Sequence, residues 1–478
     1  MEPKLVFDFF NEITQIPRPS KKEGRMIEYL QEVANRLNLK SYTDDFGNVI
    51  IYAEPTSGYE NADGVIIQGH MDMVCEKIKQ LDFDFDKQPI ETIVDGDWMR
   101  AKGTTLGADD GIGVAMALAL VADKTLKHGP IELLFTTDEE SGMTGAFGLN
   151  PGVLKGKYLI NLDSEDEGEF FIGCAGGQTT NAVFDFKTMP LEQGFIPLKI
   201  EIDKMKGGHS GDDINKNRAN AIKVLARFLY DIWKKYDVRL IDLSGGKLHN
   251  AIPRFAEAVI AVPMQCKEDI RVDFNVFAAA VQNEFHVQET DSEFRLSSVE
   301  ESNIEYIQND VAKNVVFSLQ AVHNGVLEMN QDIKGLVETS SNLASVKING
   351  NQIIILASQR SSIESALDNV SNIVAAVFEM AGAEVSFSDK YPGWQPDTNT
   401  IILKASVEAY EKLFNKKPVV RAIHAGLECG LFSTKYPNVE MISFGPTLRD
   451  VHTPDERLLI PTVDMAWKLL IEILENLK

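Results

Sequence analysis

The chain has 478 residues, 44% of them apolar and 25% charged, which excludes wholesale disorder and exceeds one ordinary core, so two domains are expected, one inserted in the other. Its 47 Lys and Arg against 71 Asp and Glu give a formal charge of -24, which argues against nucleic acid or an anionic membrane surface as a partner. No apolar run approaches the roughly 18 residues of a membrane span, no leader pattern opens the chain, and Cys75, Cys174, Cys266 and Cys429 lack metal or redox spacing, so a cytoplasmic protein with reduced thiols is expected.

Residues 5–16 read as an amphipathic helix stopped by Pro17 and Pro19. Ser20 with Glu23 has the spacing of a capping box, and Met26, Leu30, Val33 and Leu37 recur at helical period behind it. Residues 48–53 and 65–68 are short strands; the second runs into His70-Met71-Asp72. Residues 76–102, with alternating Phe83 and Phe85 and a turn at Asp95-Gly96, read as a hairpin excursion. Residues 107–123 place Asp109 and Asp110 ahead of a small-residue helix that can lie close to a sheet. Strands at 131–135 and 158–162 then run into Glu139-Glu140 and Asp163.

From about residue 188 the acid-tipped strands stop. A linker at 189–194 leads into single strands alternating with long amphipathic helices, an α+β insert. Near Tyr391 to Trp394 the chain returns to the first lobe, adding a strand at 439–444, a loop with His452 and a helix at 461–477. The expected fold is α/β: a catalytic domain of mixed sheet with helices on both faces, residues 1–185 and 389–478, with an inserted α+β lid, residues 186–388.

Four strand ends thus direct His and carboxylate residues to one place, where open α/β sheets hold their ligands. Packing so many acids together without a cation would push several pKa values upward, and mixed imidazole and carboxylate ligands suit Zn²⁺, with Mn²⁺ or Co²⁺ also admitted. Two metals are assigned: His70, Asp109 and Asp163 for one, Asp109, Glu140 and His452 for the other. Asp72, two residues from His70 on an extended segment, faces the same way and can hold the imidazole. Glu139, beside a ligand but not needed as one, can take a proton from a metal-bridged water and return it to a leaving amine. Asp110 and Asp138 read as supporting acids.

The motifs GHMDMV, GADDGIG, TTDEESG, LDSED and HTPDER, in this order, resemble those of the M20 clan of co-catalytic zinc peptidases, and within it the aminoacyl-histidine dipeptidase (Xaa-His dipeptidase) group. The resemblance spans essentially the whole chain. It implies a catalytic domain split around a lid, two Zn²⁺ per chain, the ligand and base roles above, and a cis peptide at Asp109-Asp110. It also implies three lid contacts to substrate: His209 in KGGHSGDD on the oxyanion, Asn250 in LHNAIPR on the substrate backbone, and Arg360 in ASQRSS on the free carboxylate. HAGLECG, residues 424–430, resembles a catalytic-domain loop lining the substrate site. The implied activity is hydrolysis of small unblocked dipeptides, Xaa-His preferred. The rivals are an N-acyl-amino-acid deacylase or tripeptidase of the same clan, and a catalytically silent metal-binding or assembly protein. A homodimer with each site completed largely in cis is expected.

Overall fold

The apolar runs that precede His70 and Glu139 form the strands Val65–His70 and Ile131–Thr136, and every residue of both is buried. Such runs are what a parallel strand covered on both faces requires. The structure, a computed structural model, describes residues 1–299 and 304–477. It divides into two units: Met1–Cys174, Trp394–Ala422 and Leu427–Lys478 form the first; Ala175–Gly393 and Ile423–Gly426 form the second.

The first unit carries an eight-stranded mixed sheet. At its centre Ile131–Thr136, Val65–His70, Tyr158–Asn161 and Glu440–Ser443 run parallel, with His70 in register with Thr136. Val49–Ala53 and Glu169–Cys174 flank them antiparallel. The helix Ala108–Ala122, buried along most of its length, packs between the Lys4–Thr14 helix and the Val65–His70 strand. The peptide between Asp109 and Asp110 is cis.

The excursion at 76–102 contains only part of the expected hairpin. Thr92–Asp95 pairs with Trp98–Ala101, while Phe83 and Phe85 form an edge-to-face ring pair outside any strand. That hairpin extends into a four-stranded sheet through Arg457–Leu459, whose partner is Leu448–Arg449. Trp98–Ala101 therefore anchors the two-strand loop on which His452 sits.

The capping box at Ser20 and Glu23 does not form. No side chain caps the Gly24–Arg36 helix; the Ser20 hydroxyl donates to Asp72, and the Glu23 carboxylate accepts from the backbone of Lys21 and Asp138. A buried carboxylate at the sheet edge takes the hydroxyl that the spacing assigned to the helix.

The second unit is built on an antiparallel sheet of eleven strands, packed by the helices Ala221–Lys235, Lys267–Glu284, Asn309–Ala321 and Glu364–Met380. Leu198, Ile200, Ile260 and Ile355 of the sheet meet Leu225, Phe228 and Phe274 of the helices in one core. Part of the expected linker is a strand, Thr188–Pro190, paired with Glu305–Ile307. The strand Gly176–Asp185 lies between Gln352–Ser361 and Glu384–Tyr391, and its ladder with the former runs over all ten residues. That ladder sets the unit boundary at 174/175, ahead of the 185/186 division read from composition.

Candidate active site and metal centre

Because the central strands are parallel, their carboxyl ends share one edge, and the first unit assembles its polar residues there. His70 ends its strand; Asp72 follows it, Glu139 and Glu140 follow Ile131–Thr136, and Asp163 follows Tyr158–Asn161. The His70 Nε2 lies 3.1 Å from Asp109 Oδ1 and 3.5 Å from Asp163 Oδ1. The His452 Nε2 lies 3.1 Å from Asp109 Oδ2 and 3.0 Å from Glu140 Oε2. Asp109 thus turns one oxygen to each imidazole, between two sets of three side chains. One ligand atom each from His70, Asp109 and Glu140 also falls within 4.8 Å of the other two.

The electrostatics of this crevice favour positive charge. Burial and then the Asp109 carboxylate push Asp163 up to about 7. Hydrogen bonds that the His452 ring donates to Asp109 and Glu140 raise it to about 11. Burial alone would lower His70, but Asp163, Asp109 and Asp72 raise it well above its ordinary value. Glu140 Oε1 is buried without a hydrogen-bond partner among the described residues, an acceptor that a cation would satisfy. Two imidazoles and three carboxylates form a donor set suited to Zn²⁺ that also admits Mn²⁺ or Co²⁺. The residues present fit a metal centre.

Asp72 does more than the sequence spacing suggests. One oxygen lies 3.3 Å from His70 Nδ1 and accepts the Glu139 N–H at 3.0 Å; the other accepts from the Glu140 N–H and from Ser20. These contacts outweigh burial and hold its carboxyl down at about 2. Asp72 therefore sets both the ring of His70 and the backbone turn that carries Glu139 and Glu140. Glu139 itself is pushed well above its ordinary value, first by burial and then by Asp163 and Glu140, with His70 opposing. Asp110 supports from below, accepting the His70 N–H.

Glu428 was not singled out from the sequence. Its buried carboxylate accepts from Gln68 Nε2 at 2.7 Å and Thr136 Oγ1 at 2.8 Å, and burial pushes it up to about 8. It tethers the helix Glu428–Lys435 to the two strands that deliver His70 and Glu139; its place in HAGLECG was the available signal.

The second unit gathers the three residues carried over by local motif, together with His424. His209 lies on a two-residue strand paired with Ala251–Ile252, directly after Asn250. Its Nδ1 accepts backbone N–H groups from Gly211 at 3.3 Å and Asp212 at 3.2 Å, so the neutral ring carries its proton on Nε2. Burial, then the nearby Arg360, lowers its pKa and keeps it neutral. Asn250 accepts the Ser210 N–H through its carbonyl. Arg360 is 6% exposed; its Nη1 donates to the Tyr391 hydroxyl at 2.9 Å, and its Nε has no partner among the described residues. Tyr391 reaches it across the intervening strand because Gly177, in register with both, has no side chain: a Cβ there would lie 2.5 Å from the Tyr391 oxygen. Ser210 and Ser362 also bury hydroxyls without hydrogen-bond partners among the described residues. A buried guanidinium with an unmet N–H suits a carboxylate.

His424 corrects the reading of HAGLECG as one catalytic-domain loop. Ile423–Gly426 belongs to the second unit and Leu427 onward to the first, because the His424 ring bonds Ser340 Oγ at 2.7 Å, on the strand register of Arg360. Burial, then Arg360 and His209, pulls its pKa down to about 3. An unfolded histidine binds a proton below about pH 6.5 that this folded one refuses, so stability falls as pH drops from 6.5 toward 3. Between pH 7.5 and pH 5 this one group costs about 2 kcal/mol. His424→Gln is expected to flatten that loss, read as a smaller difference between urea midpoints at the two pH values; an unchanged difference would mean that His424 is protonated when folded.

A family model described as "Peptidase family M20/M25/M40" matches residues 66–476, and the chain belongs to that family. Over 479 aligned residues it is 41% identical to the cytosol non-specific dipeptidase of Escherichia coli (strain K12), covering 100% of this chain and 98% of that one. It is likewise 41% identical to the aminoacylhistidine dipeptidase of Vibrio alginolyticus, whose crystal structure superposes with a TM-score of 0.92 over 99% of this chain and 97% of that one. Aminopeptidase PepT of Bacillus cereus shares the fold at a TM-score of 0.60 and 16% identity, covering 100% and 99% of the two chains.

Proposed function

We propose that this chain is a metallo-dipeptidase that hydrolyses unblocked dipeptides in the cytoplasm, with Xaa-His peptides such as β-Ala-His preferred. The observation that carries the reading is the carboxylate of Asp109, which gives one oxygen to the His70 side and the other to the His452 side of the crevice. The 41% identity to two dipeptidases, over 98% and 97% of their lengths, supports it. No helix among the described residues is long and apolar enough to cross a membrane.

His70, Asp109 and Asp163 would hold one Zn²⁺, and Asp109, Glu140 and His452 the other. Bound there, the pair would polarise the scissile carbonyl and lower the pKa of water into the neutral range. Glu139 takes a proton from the attacking water on its carboxylate and delivers it to the leaving nitrogen. Asp72 keeps the His70 ring and the Glu139 turn in place. In the second unit, acting as a lid, the Nε2–H of His209 is available to a developing oxyanion, the side chain of Asn250 to the substrate backbone, and Arg360 to the terminal carboxylate.

Elemental analysis of protein purified without chelator, paired with hydrolysis of β-Ala-His, Gly-His and an N-acetylated dipeptide, tests the proposal. Two zinc or similar ions per chain are expected, with activity on the free dipeptides that chelation removes and metal restores, and none on the blocked peptide. Cleavage of the blocked peptide would make the protein a deacylase, and activity untouched by chelation would overturn the metal mechanism.

A further inference from the structure

Two buried charged residues sit outside the reaction scheme, and both grip the loop that carries Asp109. Glu456 is 2% exposed and lies four residues after His452. Its Oε2 accepts the N–H groups of Leu106 at 2.7 Å and Gly107 at 2.9 Å; its Oε1 accepts those of Ala108 at 2.8 Å and Asp109 at 3.3 Å. Four consecutive amides thus converge on one carboxylate. Arg18, also 2% exposed, holds the same loop through its carbonyl side. Its Nη2 donates to the Gly107 carbonyl, and its Nη1 to the carbonyls of Met71 at 3.0 Å and Asp72. The Arg18 carbonyl accepts the Met73 N–H, which ties the arginine to the strand end bearing His70 and Asp72.

Gly107 is the point where these grips meet. Its φ of +68° suits glycine, and a Cβ there would lie 2.7 Å from Arg18 Nη2 and 2.8 Å from Met73 Sδ. Burying a guanidinium and a carboxylate costs several kcal/mol for each unless their bonds are well made. An apolar pair would fill the space without that cost, but it could not bind the N–H and C=O groups of one loop simultaneously.

We infer that Glu456 and Arg18 are positioning residues that hold Asp109 between His70 and His452, and so set how tightly the centre retains its metals. The inference rests on the reading that these side chains bind metal. Glu456 fastens the Asp109 loop to the hairpin carrying His452; Arg18 fastens it to the strand end carrying His70. Three ligand-bearing segments, distant in sequence, are locked into one geometry by this pair.

The test is a competition titration of Zn²⁺ against a chromophoric chelator on the metal-stripped full chain, with thermal unfolding of the stripped and reloaded forms. In Glu456→Gln the amide –NH₂ must face backbone N–H donors, so the Asp109 loop loses two of its four bonds. Zn²⁺ affinity is expected to fall roughly 10- to 100-fold, as for other residues that orient metal ligands, and the gain in melting temperature on reloading is expected to shrink. Arg18→Lys keeps the charge but loses the fork, and is expected to weaken Zn²⁺ in the same direction, so the question stays answerable if Glu456→Gln does not fold. A lower melting temperature of the stripped protein with wild-type Zn²⁺ affinity would overturn the inference and leave the pair with a purely structural role. A wild-type chain that binds no Zn²⁺ would instead overturn the metal-centre reading beneath it.

Discussion

Glu139→Gln is expected to lower kcat about a thousandfold while leaving the metal content of the chain unchanged. A positioned general base contributes on the order of 10²- to 10⁴-fold, and glutamine keeps the shape of the side chain but cannot accept a proton. Among the described residues the Glu139 carboxylate hydrogen-bonds neither imidazole, whereas Glu140 beside it lies 3.0 Å from His452. This difference supports the proposed division of the two neighbours into base and ligand. What orients Glu139 is its own peptide N–H on Asp72, a bond the amide substitution leaves in place. Steady-state kinetics on β-Ala-His together with elemental analysis reads both halves of the prediction. Activity within tenfold of wild type would place the base elsewhere.

Asp109→Asn is expected to weaken metal binding by more than about a hundredfold and to bring activity below detection. Outer partners of metal ligands already cost about 10- to 100-fold when removed, and Asp109 stands closer in. Among the described residues it alone hydrogen-bonds both His70 and His452. The two imidazoles more than reverse the effect of burial and hold its carboxyl below the usual range, so it is an anion throughout the neutral region. Asparagine would offer one carbonyl oxygen and turn an –NH₂ toward the other histidine. Isothermal titration with Zn²⁺ would show the loss for both sites at once. Loss of one site alone would mean that Asp109 does not bridge, and that Asp163 and Glu140 hold their metals independently.

The central strands, their order of motifs and the ligand-bearing ends were legible in the sequence for one physical reason. A parallel strand buried on both faces needs an unbroken apolar run, and an acid or histidine at its end is then conspicuous. The small-residue helix behind Asp109 was legible likewise, since Gly and Ala are what a helix against a sheet allows. Ser20 and Glu23 were misread because a hydroxyl and a carboxylate at capping distance carry no mark of a partner 52 or 115 residues away. The unit division falls ahead of Gly176–Asp185 and not after it: that strand has no feature of its own that assigns it to one sheet, whereas its ten-residue ladder does.

Short-range chemistry is written in residue type and spacing, and so the sequence alone determined the class of reaction: which side chains could ligate, which could move a proton, and which strands carried them. Only the tertiary structure decided that Asp109 faces two histidines, that Asp72 holds the backbone of Glu139 as well as the ring of His70, and that Arg18 and Glu456 grip one loop from its two sides. Those are relations between residues up to about 350 positions apart, set by hydrogen-bond geometry after the chain has folded, and no local pattern records them.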